Sequence, residues 1–257
     1  MKPTKYVLLS AISASLISLF PQVVNASVTP RSTPHATLQP RTASVTVCVG
    51  VGVPHVAPPK GYVVTSVSSA FSSMSPGPCG QNNYWGINAQ VWSNLVSGTT
   101  VCIGVGSPSA SPPSGYVVTK VGVSGPYYNL GPCGANNGWG INSQVWSNLV
   151  SGTAVCVGVG SPSASPPKGY VVTKVGVSGP YYNLGPCGAN NGWGFNSYVW
   201  SKLVSGTTVC MGLGTPWTPR PSGYVVTKTG VAGPYYNLGP CGANNSSGFN
   251  SQVWSLR

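Results

Sequence analysis

Eight cysteines are the residues of this chain whose spacing most plainly implies chemistry. Cys48, Cys102, Cys156 and Cys210 step by 54 residues, and Cys79, Cys133, Cys187 and Cys241 repeat the same step. Thiols at such intervals bind metal, exchange electrons or close disulfides. Zinc sites usually draw on Cys-x(2–4)-Cys pairs or on nearby histidines. Here neighbouring cysteines lie 31 and 23 residues apart, and His35 and His55 do not recur with the ladder. A Cys-x-x-Cys redox motif is absent as well. The reading is a structural disulfide framework, with no metal and no cofactor.

Two connectivities compete. Bridges within each copy join Cys48–Cys79, Cys102–Cys133, Cys156–Cys187 and Cys210–Cys241 and leave nothing over. Bridges across copies join Cys79–Cys102, Cys133–Cys156 and Cys187–Cys210, stranding Cys48 and Cys241 unless the array closes into a ring. Loop entropy favours either kind by about 3–4 kcal/mol, too similar to separate them. The absence of orphans therefore selects pairing within copies.

Acid–base chemistry is poorly supplied. The chain has no Asp and no Glu. It thus lacks the carboxylate pair of glycoside hydrolysis, the acidic member of a Ser-His-Asp arrangement and the hard-oxygen cage for calcium. A Ser-Lys pair using Lys120 fails on Ser66, which holds the equivalent place in the first copy. The expectation is that the protein is not an enzyme. Its formal charge of +12 includes Lys2 and Lys5 and arises because acids are missing, since only 5% of residues are charged. Nucleic-acid sites need basic side chains clustered on one face, whereas here they are scattered. Weak affinity for anionic surfaces is expected, without dedicated nucleic-acid binding.

What remains is a loop rich in rings and amides, running in the second copy from Pro126 to Gly140. Tyr127, Tyr128, Asn136, Asn137 and Trp139 recur as Tyr181, Tyr182, Asn190, Asn191 and Trp193, and in part as Tyr235, Tyr236, Asn244 and Asn245; Trp85 is the first-copy tryptophan, and Ser247 replaces it in the fourth. Aromatic faces stack on the C–H face of a sugar, and Asn amides satisfy hydroxyls without charge. These residues form the candidate ligand site, for a polysaccharide or a cell-surface glycan. The competing reading is structural: Trp146 and Tyr116 make a small core under the loop, and the asparagines form turns.

The elements that must position this loop follow from the repeat. Val101–Gly152 returns as Val155–Gly206 with five differences, among them Ile141/Phe195 and Gln144/Tyr198. A fixed period of this length marks a tandem array. Residues 1–26 read as a signal peptide, with Lys2 and Lys5 before an apolar run too short for about 30 Å of hydrocarbon; no membrane span is expected after its removal. Residues 27–44 are a Ser/Thr/Pro-rich leader expected to be flexible. β repeats then occupy 45–98, 99–152, 153–206 and 207–257. Gly and Pro interrupt every helical window, while period-two alternation marks strands at Thr100–Val105, Tyr116–Val123 and Ile141–Val150. In the last of these, Ile141, Val145 and Leu149 share the face opposite Gln144 and Trp146. Each Cys-strand-to-Trp-strand unit looks complete in itself, which favours separate modules, each stapled because so small a core is marginal.

The sequence thus implies an all-β, tandem array of four small disulfide-stapled antiparallel β modules, secreted and non-catalytic. Glycan binding leads. A structural or adhesive extracellular protein without a specific ligand is the alternative, followed by a cationic envelope-active factor. One consequence needs only the composition. Acid unfolding mostly reflects carboxylates whose folded pKa is depressed, so their stabilisation is lost as pH falls through that value. This chain has no such side chains, so the oxidised protein should melt at nearly constant temperature from pH 7 to pH 2. A cooperative acid transition near pH 3–4 in that melting series would contradict this.

Overall fold

The computed structural model describes residues 43–53, 56–68, 78–84, 86–104, 107, 111–122, 132–138, 140–158, 161, 165–176, 186–190, 192, 194–231 and 240–257. No helix occurs among them. Twelve strands do: β1 Ser44–Cys48, β2 Tyr62–Ser68, β3 Ala89–Asn94, β4 Thr99–Cys102, β5 Tyr116–Gly122, β6 Ser143–Asn148, β7 Thr153–Cys156, β8 Tyr170–Gly176, β9 Ser197–Lys202, β10 Thr207–Cys210, β11 Tyr224–Gly230 and β12 Ser251–Leu256. They form four three-stranded antiparallel sheets of one pattern, β1-β3-β2, β4-β6-β5, β7-β9-β8 and β10-β12-β11. In each, the last strand of the copy inserts between the first two. All four disulfides close within copies, with Cα atoms 5.0–5.1 Å apart.

The first and third strands of the second copy, Thr99–Cys102 and Ser143–Asn148, are shorter than alternation implied, and the first ends for a definite reason. After Cys102 the amides of Ile103 and Gly104 both donate to the Asn142 carbonyl, at 2.8 and 3.0 Å, and the chain turns out of the sheet. The buried Asn142 amide then donates to the Gly134 carbonyl at 2.9 Å, clamping the segment after the second cysteine. Gly104 is required here, since a Cβ would fall on the carbonyl oxygens of Cys133 and Ala135.

Strict alternation also fails in the second strand. The register of β5 against β6 shifts between Val118 and Lys120. This bulge, which leaves one residue unpaired, lets both Val117 and Val118 be buried while Lys120 is exposed. Thr119 occupies it; its hydroxyl donates to the Val145 carbonyl at 3.4 Å and shares a 2.9 Å hydrogen bond with Ser147. In the third strand the two alternating faces differ in burial, and Trp146 is core as its structural reading implied. Gln144 and Trp146 are buried, whereas Val145 is half-buried. Alternation separates two faces without saying which is inward. The Gln144 Oε1 accepts the Trp146 indole N–H at 3.0 Å, so the two buried polar groups satisfy each other.

The modules are not separate beads; Thr42–Arg257 is one compact unit. Val64 and Trp92 of the first module cluster with Cys102 and Cys133 of the second. Val118 and Trp146 of the second cluster with Cys156 and Cys187 of the third, and Val172 and Trp200 of the third with Cys210 and Cys241 of the fourth. Each later disulfide is therefore seated on the module before it, and all six of these cysteines are at most 2% exposed. Cys48 and Cys79, with no preceding module, are only half-buried. The same junction carries a backbone bond from the outer edge strand to the next module: Val67 N–H to Pro132 C=O, Val121 to Pro186 and Val175 to Pro240, each 2.8 Å. The connecting segment is a tight turn rather than a linker. Thr99 Oγ1 donates to the Val96 carbonyl at 2.7 Å and accepts from its amide at 3.0 Å, and Ser97 Oγ accepts the Asn148 amide of the next sheet at 3.0 Å.

The third junction differs in one instructive way. Tyr198 replaces Gln144, so the Trp200 indole N–H is buried without a partner. The Tyr198 hydroxyl instead donates to Gly214 of the fourth module at 2.6 Å, and its ring lies 6.3 Å from that of Phe195, which a Cβ at Gly242 would touch at 2.9 Å. A bond inside one module has been exchanged for a bond between two.

Glycine substitutions isolate the junction. Gly134 and Gly80 hold equivalent places with φ of +70° and +75°, so alanine strains both alike. Only at Gly134 does a Cβ meet the preceding module, 3.0 Å from Val67 Cγ2, whereas nothing lies within 4 Å at Gly80. Gly134→Ala should therefore destabilise by about 1–3 kcal/mol more than Gly80→Ala, the range of core overpacking, measured by urea unfolding. Equal costs would mean that the modules do not press together there.

Candidate functional site

Stacking creates a surface that no single module has. Each copy closes its Pro/Ser loop with a four-residue turn, Pro59-Lys60-Gly61-Tyr62 in the first and Pro113-Ser114-Gly115-Tyr116 in the second. The tyrosine amide bonds back to the proline carbonyl at 3.0 Å in both. Gly61 and Gly115, at φ of +87° and +86°, supply the left-handed third position that such a turn needs. Their carbonyls accept the amides of Leu95 and Leu149 at 2.8 and 2.9 Å, tying the turn to the end of the middle strand. The tyrosine is thereby fixed at the edge of the junction, half-buried, in every module.

Between the first and second modules this leaves a groove of about 570 Å³, with Pro59, Tyr62, Leu95, Pro113, Tyr116 and Trp146 on its walls. Between the second and third lies its counterpart of about 580 Å³, walled by Pro113, Tyr116, Leu149, Pro167, Tyr170 and Trp200. Pro113 and Tyr116 belong to both, so the grooves adjoin along the array. Lys60 lines the first and Lys168 the second. Their volume suits a ligand segment of ordinary size. The chemistry on offer is apolar and aromatic contact with a few hydroxyls, backbone carbonyls and one ammonium per groove.

The residues singled out from sequence fall into two groups. Trp85, Trp139, Trp193, Tyr127, Tyr128, Tyr181, Tyr182, Tyr235, Tyr236 and Asn191 lie outside the described residues, as do residues 1–42, where a signal peptide is expected, and His55. Of the asparagines, Asn137 donates from Nδ2 to the Ile103 carbonyl at 3.3 Å and accepts the Ile141 amide at 3.4 Å. Asn245 repeats this with Met211 at 3.0 Å and Phe249 at 3.4 Å, and also accepts the Ser247 amide at 2.9 Å. These amides hold the loop to the first strand. Asn136, Asn190 and Asn244 are half-buried beside them. None of the described asparagines lines either groove.

Sequence reasoning missed the grooves because it took the Pro-Pro-x-Gly-Tyr run as turn chemistry alone. The run recurs in the first three copies, which was the available signal; its use becomes visible only once modules stack. It also passed over two exposed rings. Tyr84, where later copies have Gly138 and Gly192, is 96% exposed, and Trp217, in the fourth copy's Pro-rich loop, is 79% exposed.

Comparison with known proteins adds no outside constraint: no family model matches this chain, and no match emerges among curated proteins or solved structures.

Proposed function

We propose that this protein is a secreted, non-catalytic array that binds an extended polysaccharide or surface glycoconjugate along its module junctions. The observation that carries the reading is the recurrence of one Tyr/Pro groove at successive junctions, with Tyr116 and Pro113 shared between two of them. A polymer with a repeating unit presents the same face again and again, and a row of equal weak sites converts that repetition into avidity. Tyrosine rings offer faces to sugar C–H groups, while hydroxyls and backbone carbonyls meet sugar hydroxyls. The aromatic and amide loops around Trp85, Trp139 and Trp193 are a second contact surface in this proposal, and Trp217 a third.

The structural or adhesive alternative draws on Asn137, Asn245 and Trp146, all of which serve the fold. A cationic envelope-active factor is separated by salt, since charge-driven binding weakens steeply with ionic strength and stacking does not.

The test is retention of the oxidised chain on insoluble polysaccharides at low and high salt. Tyr62→Leu, Tyr116→Leu and Tyr170→Leu together keep apolar volume but remove the ring faces, and should weaken retention at least about tenfold, equivalent to losing 1.4 kcal/mol, with an unchanged melting temperature. Trp85→Ala, Trp139→Ala and Trp193→Ala form the parallel arm. Full retention by the tyrosine variant would move the site to the loops, and no retention by the parent on any polymer would favour the structural reading.

A further inference from the structure

The internal junction has two complementary sides, and the first and fourth modules each carry one of them on which no other of the four modules is packed. On the leading side of a junction stand the paired valines of the edge strand and a third valine, Val67, Val121 or Val175, whose amide donates to the next module. On the receiving side stand the disulfide, the proline carbonyl that accepts this bond, and the following glycine. That glycine approaches the third valine so closely that a Cβ would lie 3.0 Å from Val67 at Gly134, 2.9 Å from Val121 at Gly188 and 3.4 Å from Val175 at Gly242.

The fourth module retains the leading side. Val225 and Val226 keep the places of Val63 and Val64, but they are half-buried here, whereas their counterparts in the other modules are at most 7% exposed. Thr229 stands where the third valine would be and is exposed. The first module retains the receiving side. Gly77-Pro78-Cys79-Gly80 repeats Gly131-Pro132-Cys133-Gly134, Cys48 and Cys79 are half-buried, and nothing lies within 4 Å of a Cβ at Gly80. Two faces that already fit each other three times within the chain are thus both left partly uncovered.

The geometry points to end-to-end association, in which the Val225–Val226–Thr229 face of one copy seats on the Cys48–Cys79 and Gly80 face of a second copy and extends the internal junction between chains. Such a contact is heterologous, so it propagates into open strings unless the rotation closes a ring. Thr229 moderates it. Threonine has nearly the shape of valine, so it fits, but burying its hydroxyl where the chain elsewhere buries a methyl weakens the contact. The result is association that depends on concentration, rather than the permanent packing found inside the chain. Joining arrays in this way would also lengthen the row of grooves available to a polymer, although the association itself stands independently of the ligand.

The experiment is sedimentation velocity of the oxidised full chain at about 0.15 M salt, where repulsion between basic chains is screened beyond about 8 Å. The wild type should shift from monomer to integer multiples of the monomer mass as concentration rises. Thr229→Val should lower the concentration of half-association about tenfold, the scale of trading a buried hydroxyl for a methyl. Thr229→Lys blocks the leading face at an exposed position, and Gly80→Asn blocks the receiving face with a residue that tolerates positive φ. Each should remain monomeric alone, yet a mixture should form one-to-one dimers through the faces left intact. Monomers throughout, including Thr229→Val, would overturn the proposal, whether the receiving face is simply solvated or occupied by the chain's own N-terminal segment. Self-association of either blocked variant alone would overturn it too, by showing that another surface is used.

Discussion

The structure depends on the seating of each disulfide against the tryptophan and valines of the module before it. A unit of this size encloses too little apolar surface to stand easily without a staple. Here the staple is not set at the margin of a private core. It forms the floor of the next junction, where the indole of Trp92, Trp146 or Trp200 clusters with the sulfurs of the following copy. The cross-link thus constrains one module while completing the core of its neighbour. Other features follow from this arrangement. Gly134, Gly188 and Gly242 lack side chains where the valines arrive, the connecting turns are clasped by Thr99, Thr153 and Thr207, and the edge strands donate across the boundary instead of facing water.

The same arrangement gives the surface its form. Where two modules meet, their Pro-Gly-Tyr turns stand side by side with a groove between them, and the next module repeats it. The grooves offer shape, ring faces and hydroxyls, and the proposed recognition of a repeating polymer rests on their recurrence. The variation at the third junction shows that the contact can be retuned. Tyr198 gives up the bond that Gln144 makes to its own tryptophan and takes one across the boundary to Gly214.

Much of this was legible in the residues themselves. The cysteine ladder carried the period and the module count, and the absence of orphans in an open array favoured the pairing within copies that the four disulfides show. Strand positions were readable from alternation, though not their ends, which are set by Asn142 accepting two amides from a departing chain. Burial of Trp146 agrees with its reading as core, and Gln144 is buried with it because its Oε1 accepts the indole N–H. One reading failed. The modules were taken as separate because each contains a full set of strands, whereas a full set of strands is not a full core. No local pattern announces stacking. Its signature is distributed over Val67, Gly134 and Pro132, which are far apart in sequence and unremarkable singly. The asparagines illustrate the converse: Asn137 and Asn245 carry the polarity of a binding site, yet their amides are occupied by the Ile103 and Met211 carbonyls.

The central claim is that junctions, not modules, hold the fold together, and the most direct measurement is urea unfolding of oxidised chains containing one, two, three and four consecutive modules. In a linear array, stability is the sum of module terms and nearest-neighbour terms. The account predicts that the second module alone, residues 99–152 with its disulfide intact, shows no cooperative transition. Midpoint and steepness should then rise with each added junction. A single oxidised module that unfolds cooperatively at the same urea concentration as the four-module chain would contradict it.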